Sequence, residues 1–267
     1  MKTIIQKISK VTILFAAALT VIALGKADVK AAEQIQLNQT YTKTLKGNGR
    51  FDFTFTTPAK GYFRIETALI KVVNENGKEI SGNYTDSKLV IDYKQYWKTT
   101  TFLGKGAYAS PEFALEPGKT ATYSISDQYD RYTYTYEFKV VNEVPANFET
   151  ESNNLAKNAD KLAKVKKVYS GVLNSVTSDV DWYVFKAPKT GKYKFEVVDT
   201  NTDNWGYFYA EGFKSKTKQD VKTMVQSSKG WTKVTTVKLK KGKKYYIKLS
   251  DSTGSVRPYQ VRVKKVK

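Results

Sequence analysis

Beyond its first thirty residues, the chain alternates apolar and polar side chains at period two over many short stretches. Phe51-x-Phe53-x-Phe55, Tyr132-x-Tyr134-x-Tyr136-x-Phe138-x-Val140 and Tyr259-x-Val261-x-Val263 are clear examples. Alternation sets one side of a strand against a core and the other against water, so each run predicts a half-buried strand. Tyr132–Phe138 is assigned to the core. Gly47-Asn48-Gly49, Asn76-Gly77, Pro117-Gly118, Thr190-Gly191 and Lys241-Gly242 punctuate the runs as turns. Short strands at this spacing, with no repeated helical pattern between them, predict an all-β protein of antiparallel, jelly-roll-like sandwiches. One stretch leans helical. In Leu155–Val168, Leu155, Ala159, Leu162 and Ala163 could share a face, with lysines on the others. Its apolar face is weak, which favours a short turn or helix packed on the sandwich over a helix lying on a membrane.

The strand pattern repeats. FTFTTPAKGYFRIE (53–66) aligns with YVFKAPKTGKYKFE (183–196), pairing Phe53 with Tyr183, Phe55 with Phe185, Pro58 with Pro188 and Gly61 with Gly191. LEPGKTATYSISD (115–127) aligns with LKKGKKYYIKLSD (239–251), and YEFKV (136–140) with YQVRV (259–263). Matching order and spacing predict two tandem modules, 32–142 and 149–267, joined by a linker at 143–148 where Pro145 interrupts the pattern.

The first residues read as a secretory signal. Lys2, Lys7 and Lys10 precede the uncharged run Val11–Gly25, and Val29 and Ala31 fit cleavage before Ala32. A run of about 15 residues is short for a bilayer span, which needs about 20. The expected mature chain is therefore secreted, extracellular or cell-wall associated, with no transmembrane anchor. It contains no Cys, so export brings no disulfides and stability must come from burial.

Charge separates the modules. The net charge of +20 falls to +16 without residues 1–31. Residues 32–145 carry 14 basic and 13 acidic side chains, whereas 146–267 carry 26 and 11, a net of +15. That asymmetry predicts a polyanionic partner for the second module. Lys238, Lys240, Lys241, Lys243 and Lys244 crowd one hairpin, and Lys264, Lys265 and Lys267 close the chain; Lys214, Lys216, Lys218 and Lys222 lie between. Lysine outnumbers arginine 24 to 2 in this half, favouring diffuse charge attraction over bidentate reading of phosphates. An exported protein meets anionic cell-wall polymer or acidic polysaccharide before nucleic acid, and no specific nucleic-acid binding is expected.

Enzymatic chemistry has little to work with. Without His or Cys, the usual general base, thiol nucleophile and soft-metal ligands are missing. No residue is singled out as catalytic. The acidic residues of the second module suit a hard cation better. Glu149, Glu151 and Asn153 alternate, and Asp179 and Asp181 alternate just before the Trp182–Phe185 strand. With Asn154, they offer the oxygen donors that calcium takes six to eight at a time. Trp205, Tyr207, Tyr209 and Trp231 in the second module, and Tyr93, Tyr96 and Trp97 in the first, are candidates for stacking on a glycan or an extracellular protein.

The second module also resembles a known family. Glu149-x-Glu151-x-Asn153-Asn154, Ala159, Leu162, Tyr169-x-Gly171-x-Leu173, Asp179-x-Asp181-Trp182-Tyr183-x-Phe185, Gly242 and Tyr245-Tyr246-Ile247 are similar to the bacterial pre-peptidase C-terminal domain. The first module keeps only the later part of this pattern. The resemblance implies a β-sandwich accessory module for binding, adhesion or targeting outside the cell. In calcium-binding relatives the two acidic clusters meet in the fold. The favoured reading is a secreted, non-catalytic attachment protein whose second module binds an anionic polymer. A calcium-stabilised adhesin or accessory subunit binding a glycan or matrix protein through aromatic residues is an alternative, and a carboxylate-based hydrolase is a third.

Overall fold

The computed structural model describes residues 32–266 apart from 81–82, 92–93, 104–105, 128–130, 175–178, 202–205, 252 and 254. Residues 1–31, read above as a secretory signal, lie outside the described residues, as do Tyr93, Trp205 and Lys267.

Eighteen strands are formed among the described residues, nine in each half. In the first half, β1 (Glu33–Gln34), β3 (Arg50–Thr56), β5 (Asn83–Ile91), β6 (Lys94–Leu103) and β8 (Thr120–Asp127) make a sheet of order β1-β3-β8-β5-β6. Facing it is β2-β9-β4-β7, from β2 (Thr40–Lys46), β4 (Tyr62–Asn74), β7 (Gly106–Ala109) and β9 (Tyr132–Glu143). In the second half, β10 (Asp160–Lys161), β12 (Val180–Lys186), β14 (Tyr207–Phe213), β15 (Gln219–Gln226) and β17 (Lys244–Ser250) form β10-β12-β17-β14-β15. The opposing sheet is β11-β18-β13-β16, from β11 (Val168–Asn174), β13 (Gly191–Asp199), β16 (Thr232–Leu239) and β18 (Val256–Val266). The two orders are identical after a shift of nine strands. Setting aside the two-residue edge strands β1 and β10, each half has the eight-stranded jelly-roll connection of two Greek keys. Among the described strands only β1–β3 and β10–β12 pair in parallel, and Phe148 makes an isolated parallel bridge to Ser170.

The period-two pattern explains both cores. Phe53, Phe55, Tyr134, Tyr136 and Phe138 are fully buried between the first two sheets, with Phe53 and Phe138 stacked at 4.4 Å. Tyr183, Phe185, Tyr193, Phe195, Tyr245 and Tyr259 do the same in the second. A smaller apolar cluster of Tyr62, Ala114, Val172, Phe148 and Val256 joins the two sandwiches, with the Tyr62 and Phe148 rings 5.8 Å apart. Glu143 at the end of β9 is tied to Tyr62 and Arg64 of β4, at 2.5 and 2.6 Å.

Leu155–Val168 forms turns and the short strand β10. The helical spacing does not control it, because its backbone is taken by the sheet edge: Leu162 donates its N–H to Val184 at 2.9 Å. Leu162 enters the core and Leu155 is exposed, while Ala156 and Ala159 cover Trp182, Phe213 and Tyr246 on the sheet's outer side.

Gly61 opens β4 at φ +80°, and a Cβ there would lie 2.0 Å from the carbonyl oxygen of Glu143. Gly61→Ala should destabilise the fold by at least about 2 kcal/mol, through both backbone strain and displacement of β9's end. A thermal unfolding curve checks this, with Gly77→Ala as the comparison, because its Cβ would meet nothing within 4 Å.

Candidate functional site

The acidic opening of the second half is fastened to the sandwich by backbone pairing. Phe148 bridges Ser170 of β11, Glu149 donates its N–H to the Ser170 carbonyl at 2.9 Å, and Trp182 donates to the Asn153 carbonyl at 3.2 Å. Residues 147–153 thus run between the starts of β11 and β12, and bring their side chains to Asp181.

Ligand oxygens of Glu149, Glu151 and Asp181 lie within 4.8 Å of one another. Asp181 and Asn153 are fully buried and Glu149 is 5% exposed. Three oxygens, Glu149 Oε2, Asp181 Oδ2 and Tyr183 Oη, converge on the Tyr259 hydroxyl at 2.6, 2.7 and 2.8 Å. One hydroxyl proton serves only one carboxylate, so the other must carry a proton of its own or face a cation. Glu149 Oε1 accepts from the Val172 N–H at 2.6 Å. The nitrogen of Asn153 faces Glu149 Oε2 and Asp160 Oδ2 at 3.4 and 3.3 Å, leaving its oxygen for another partner. Asn153 Oδ1, Asp181 Oδ1 and Glu151 Oε1 are buried acceptors without a hydrogen bond.

Burial, followed by mutual repulsion, pushes these acids up. Glu151 is raised to about 10 by burial and by Glu149, Asp179 and Asp160. Glu149 is raised to about 8, mainly by burial, against the Tyr259 hydrogen bond that opposes it. Asp181 is pushed well above the usual range by burial and its neighbours, and Asp179 to about 6 by burial. Among the described residues, no Lys or Arg forms an ion pair with any of them. In a half of net charge +15 that is a pointed omission.

The repeat shows what a filled version looks like. Strand register places Lys43 opposite Tyr136 and Gly171 opposite Tyr259, Glu33 beside Phe53 and Asp160 beside Tyr183. In the first sandwich, therefore, Lys43 holds the place of Gly171, Phe51 that of Asp181 and Glu33 that of Asp160. The Lys43 ammonium lies 4.9 Å from the Phe51 ring and pairs with Glu33 at 2.5 Å. In the second sandwich, Gly171 leaves that space clear: a Cβ would come within 2.3 Å of Tyr259 Oη and 2.5 Å of Glu149 Oε2. Where one sandwich supplies its own cation, the other gathers oxygens. An all-oxygen donor set of this charge fits a hard divalent cation.

Of the six residues read as cation ligands, Glu149, Glu151, Asn153 and Asp181 converge. Asp179 stands beside them, its oxygens taken by the N–H groups of Asn174 and Val180 at 3.0 and 2.9 Å. The side-chain amide of Asn154 is turned instead toward Asp179 and the Val180 carbonyl, 3.0 and 3.1 Å away. Asp160, Gly171, Tyr183 and Tyr259 belong to the site and were not legible as such. A polysaccharide cannot reach a fully buried Asp181, so the geometry gives a two-carboxylate hydrolase no substrate access here.

The lysines expected to bind polyanions are spread over two places. Lys240, Lys241, Lys243 and Lys244 are exposed around the β16–β17 turn, and Lys238 and Lys265 beside it. Lys264 is not a free charge: it shares Glu196 with Lys194 and Arg262, at 3.0, 2.7 and 2.7 Å. Burial raises Glu196, but the three cations outweigh it and bring the carboxyl down to about 2. The aromatic residues do not form one platform. Tyr207 and Tyr209 lie on β14, with Lys222 over the Tyr209 ring at 4.1 Å, whereas Trp231 leads into β16 of the opposite sheet under Arg262 at 3.6 Å. Jelly-roll connection sends neighbouring strands to opposite sheets, which separates them. Tyr96 and Trp97 fall in β6.

A carboxyl raised in the fold keeps a proton that the unfolded chain has already lost near its ordinary value. Its contribution is complete below the unfolded value and is lost as pH rises through the folded one. The metal-free protein should therefore lose stability from about pH 5 upward, across the values near 6 and 8 of Asp179 and Glu149. Urea midpoints in chelator between pH 5 and pH 9 measure this, and the loss should be reduced in Asp181→Asn.

No family model matches the chain, and no curated protein does. Solved structures similar to it include tripeptidyl peptidase 2, at 8% identity and a TM-score of 0.29, covering 86% of this chain, which spans 24% of that one. The CUB1-EGF-CUB2 domains of human MASP-1/3 match at 10% identity and a TM-score of 0.23, over 85% of this chain and all of that one. The tandem CBM51 modules of a family 98 glycoside hydrolase from Streptococcus pneumoniae match at 10% identity and a TM-score of 0.26, over 85% and 84%. This chain is a tandem of β-sandwiches, and none of its described helices is long and apolar enough to cross a membrane.

Proposed function

We propose that the protein is a secreted, non-catalytic attachment protein: its second sandwich is held by calcium and binds an anionic cell-envelope or extracellular polymer. The observation that carries the reading is the segregation of charge in that sandwich. Five acids, Glu149, Glu151, Asp160, Asp179 and Asp181, are drawn toward one partly or fully buried cluster, while the lysines remain outside. The surface is thus more basic than the net charge alone conveys. Export rests on the signal-like residues 1–31, and the accessory role is in keeping with the resemblance to pre-peptidase C-terminal domains. Glu149, Glu151, Asp181 and the Asn153 oxygen would hold the cation, whose chemistry is to neutralise buried carboxylates. Glycan or matrix-protein binding through Tyr207 and Tyr209 is a second reading, favoured by their outward, half-exposed rings.

Calorimetry should show about one calcium bound per chain, and no binding in Asp181→Asn. At calcium tenfold above its Kd the melting temperature should rise by about 4 °C, from a linkage of about 1.4 kcal/mol. Retention on purified cell walls should be strong at about 0.05 M salt and lost by about 0.5 M. Retention unchanged by salt would remove charge as the mechanism.

A further inference from the structure

The outer side of β13 and its two neighbours carries an arrangement that the fold itself disfavours. Tyr193 and Phe195 are fully buried, so Lys192, Lys194 and Glu196 face the other way. Register sets Lys192 directly opposite Lys238 of β16, and Lys194 directly opposite Lys264 of β18. Like charges in directly opposed positions destabilise a sheet. The Lys194–Lys264 pair is offset by Glu196, which both ammonium groups reach, whereas no acid among the described residues pairs with Lys192 or Lys238. One row further on, Lys233 and Arg262 flank Glu196, which lies under the cations at 5% exposure. Glu196 offsets part of the repulsion and fixes the positions of Lys194, Arg262 and Lys264.

The rows are about 6.7 Å apart along the strand and the columns about 4.8 Å apart across it. The three rows form a stripe roughly 13 Å long. One end meets the exposed lysines of the β16–β17 turn. At the other end, Trp231 leads into β16 with the Arg262 guanidinium 3.6 Å from its ring centroid, on the same sheet. Cations on a fixed grid ending at an indole match a chain that carries both regular negative charge and rings with an apolar face. A pyranose presents a C–H face that packs on an aromatic ring, whereas a polyol or polyphosphate chain has no ring to place there.

We infer that this face, rather than the hairpin turn, is the ligand site, and that its ligand is a linear polysaccharide bearing carboxylate or sulfate groups. The inference rests on the polyanion reading above and narrows it to one surface and one class of polymer.

Two variants that remove equal charge separate the surfaces. One replaces Lys192, Lys194, Lys238 and Lys264 with Gln; the other replaces Lys240, Lys241, Lys243 and Lys244 with Gln. Both are checked for folding by circular dichroism, and each is titrated at low salt with polygalacturonate, dextran sulfate, neutral dextran and inorganic polyphosphate. The face variant should lose at least about 10-fold in affinity for the two anionic sugars, and the hairpin variant less than about 3-fold. Without ligand, Lys192→Gln should raise the melting temperature, because a like-charge pair is gone. Trp231→Ala should weaken the anionic sugars and leave polyphosphate unchanged. If wild-type protein binds no polyanion at low salt, the broader reading fails. If it binds and only the hairpin variant loses affinity, this site is overturned and the broader reading stands. Polyphosphate bound as tightly as the anionic sugars at equal charge would overturn the polymer class.

Discussion

Burying carboxylates without counter-charges is the constraint around which the second sandwich is organised. Lone ionised carboxylates in a core are costly, and proteins answer with protons, with paired bases or with a metal ion. Here no base among the described residues reaches the cluster, and the buried Arg257 pairs instead with Asp199 and Asp251. The cluster is closed by Tyr183, Tyr259 and the Val172 N–H. The raised carboxyls, the orphaned oxygens and the strongly basic exterior are three consequences of the same segregation.

The comparison between the two halves gives that segregation a direction. Both use one strand order and equivalent aromatic layers, so the fold does not require acids at this place. The first half closes the same location with a lysine, a glutamate and a phenylalanine. In the second half a glycine replaces the lysine, and the acids take over. The change leaves the place without the lysine that neutralises it in the first half. It also lies next to the apolar cluster joining the sandwiches, because Val172 both packs against Tyr62 and donates to Glu149.

Much of the fold was legible because period two and the internal repeat are local or nearly local signals. Phe53, Tyr136 and Val261 declared themselves by alternation alone. The acidic alternations around Glu149 and Asp181 were likewise visible in the chain. Tyr259 and Gly171 were not, since they reach the cluster from β18 and β11, and nothing in their own neighbourhoods marks a tyrosine as a shared hydrogen-bond donor. The turn of Asn154 toward Asp179 depends on side-chain direction, which alternation does not give. The segment 155–168 was ambiguous for a physical reason: its helical spacing is weaker than the pull of an open sheet edge beside Val184. The opposed lysines at 192 and 238, and at 194 and 264, depend on register, which only the paired strands reveal.

The most direct measurement of the cation site is terbium luminescence. Terbium substitutes for calcium at oxygen sites, and tyrosines such as Tyr183 and Tyr259 at the cluster would sensitise its emission. The account predicts sensitised emission that saturates near one terbium per chain, is displaced by calcium, and disappears in Asp181→Asn while Gly77→Ala retains it. Absence of sensitised emission, or emission unchanged in Asp181→Asn, would contradict it.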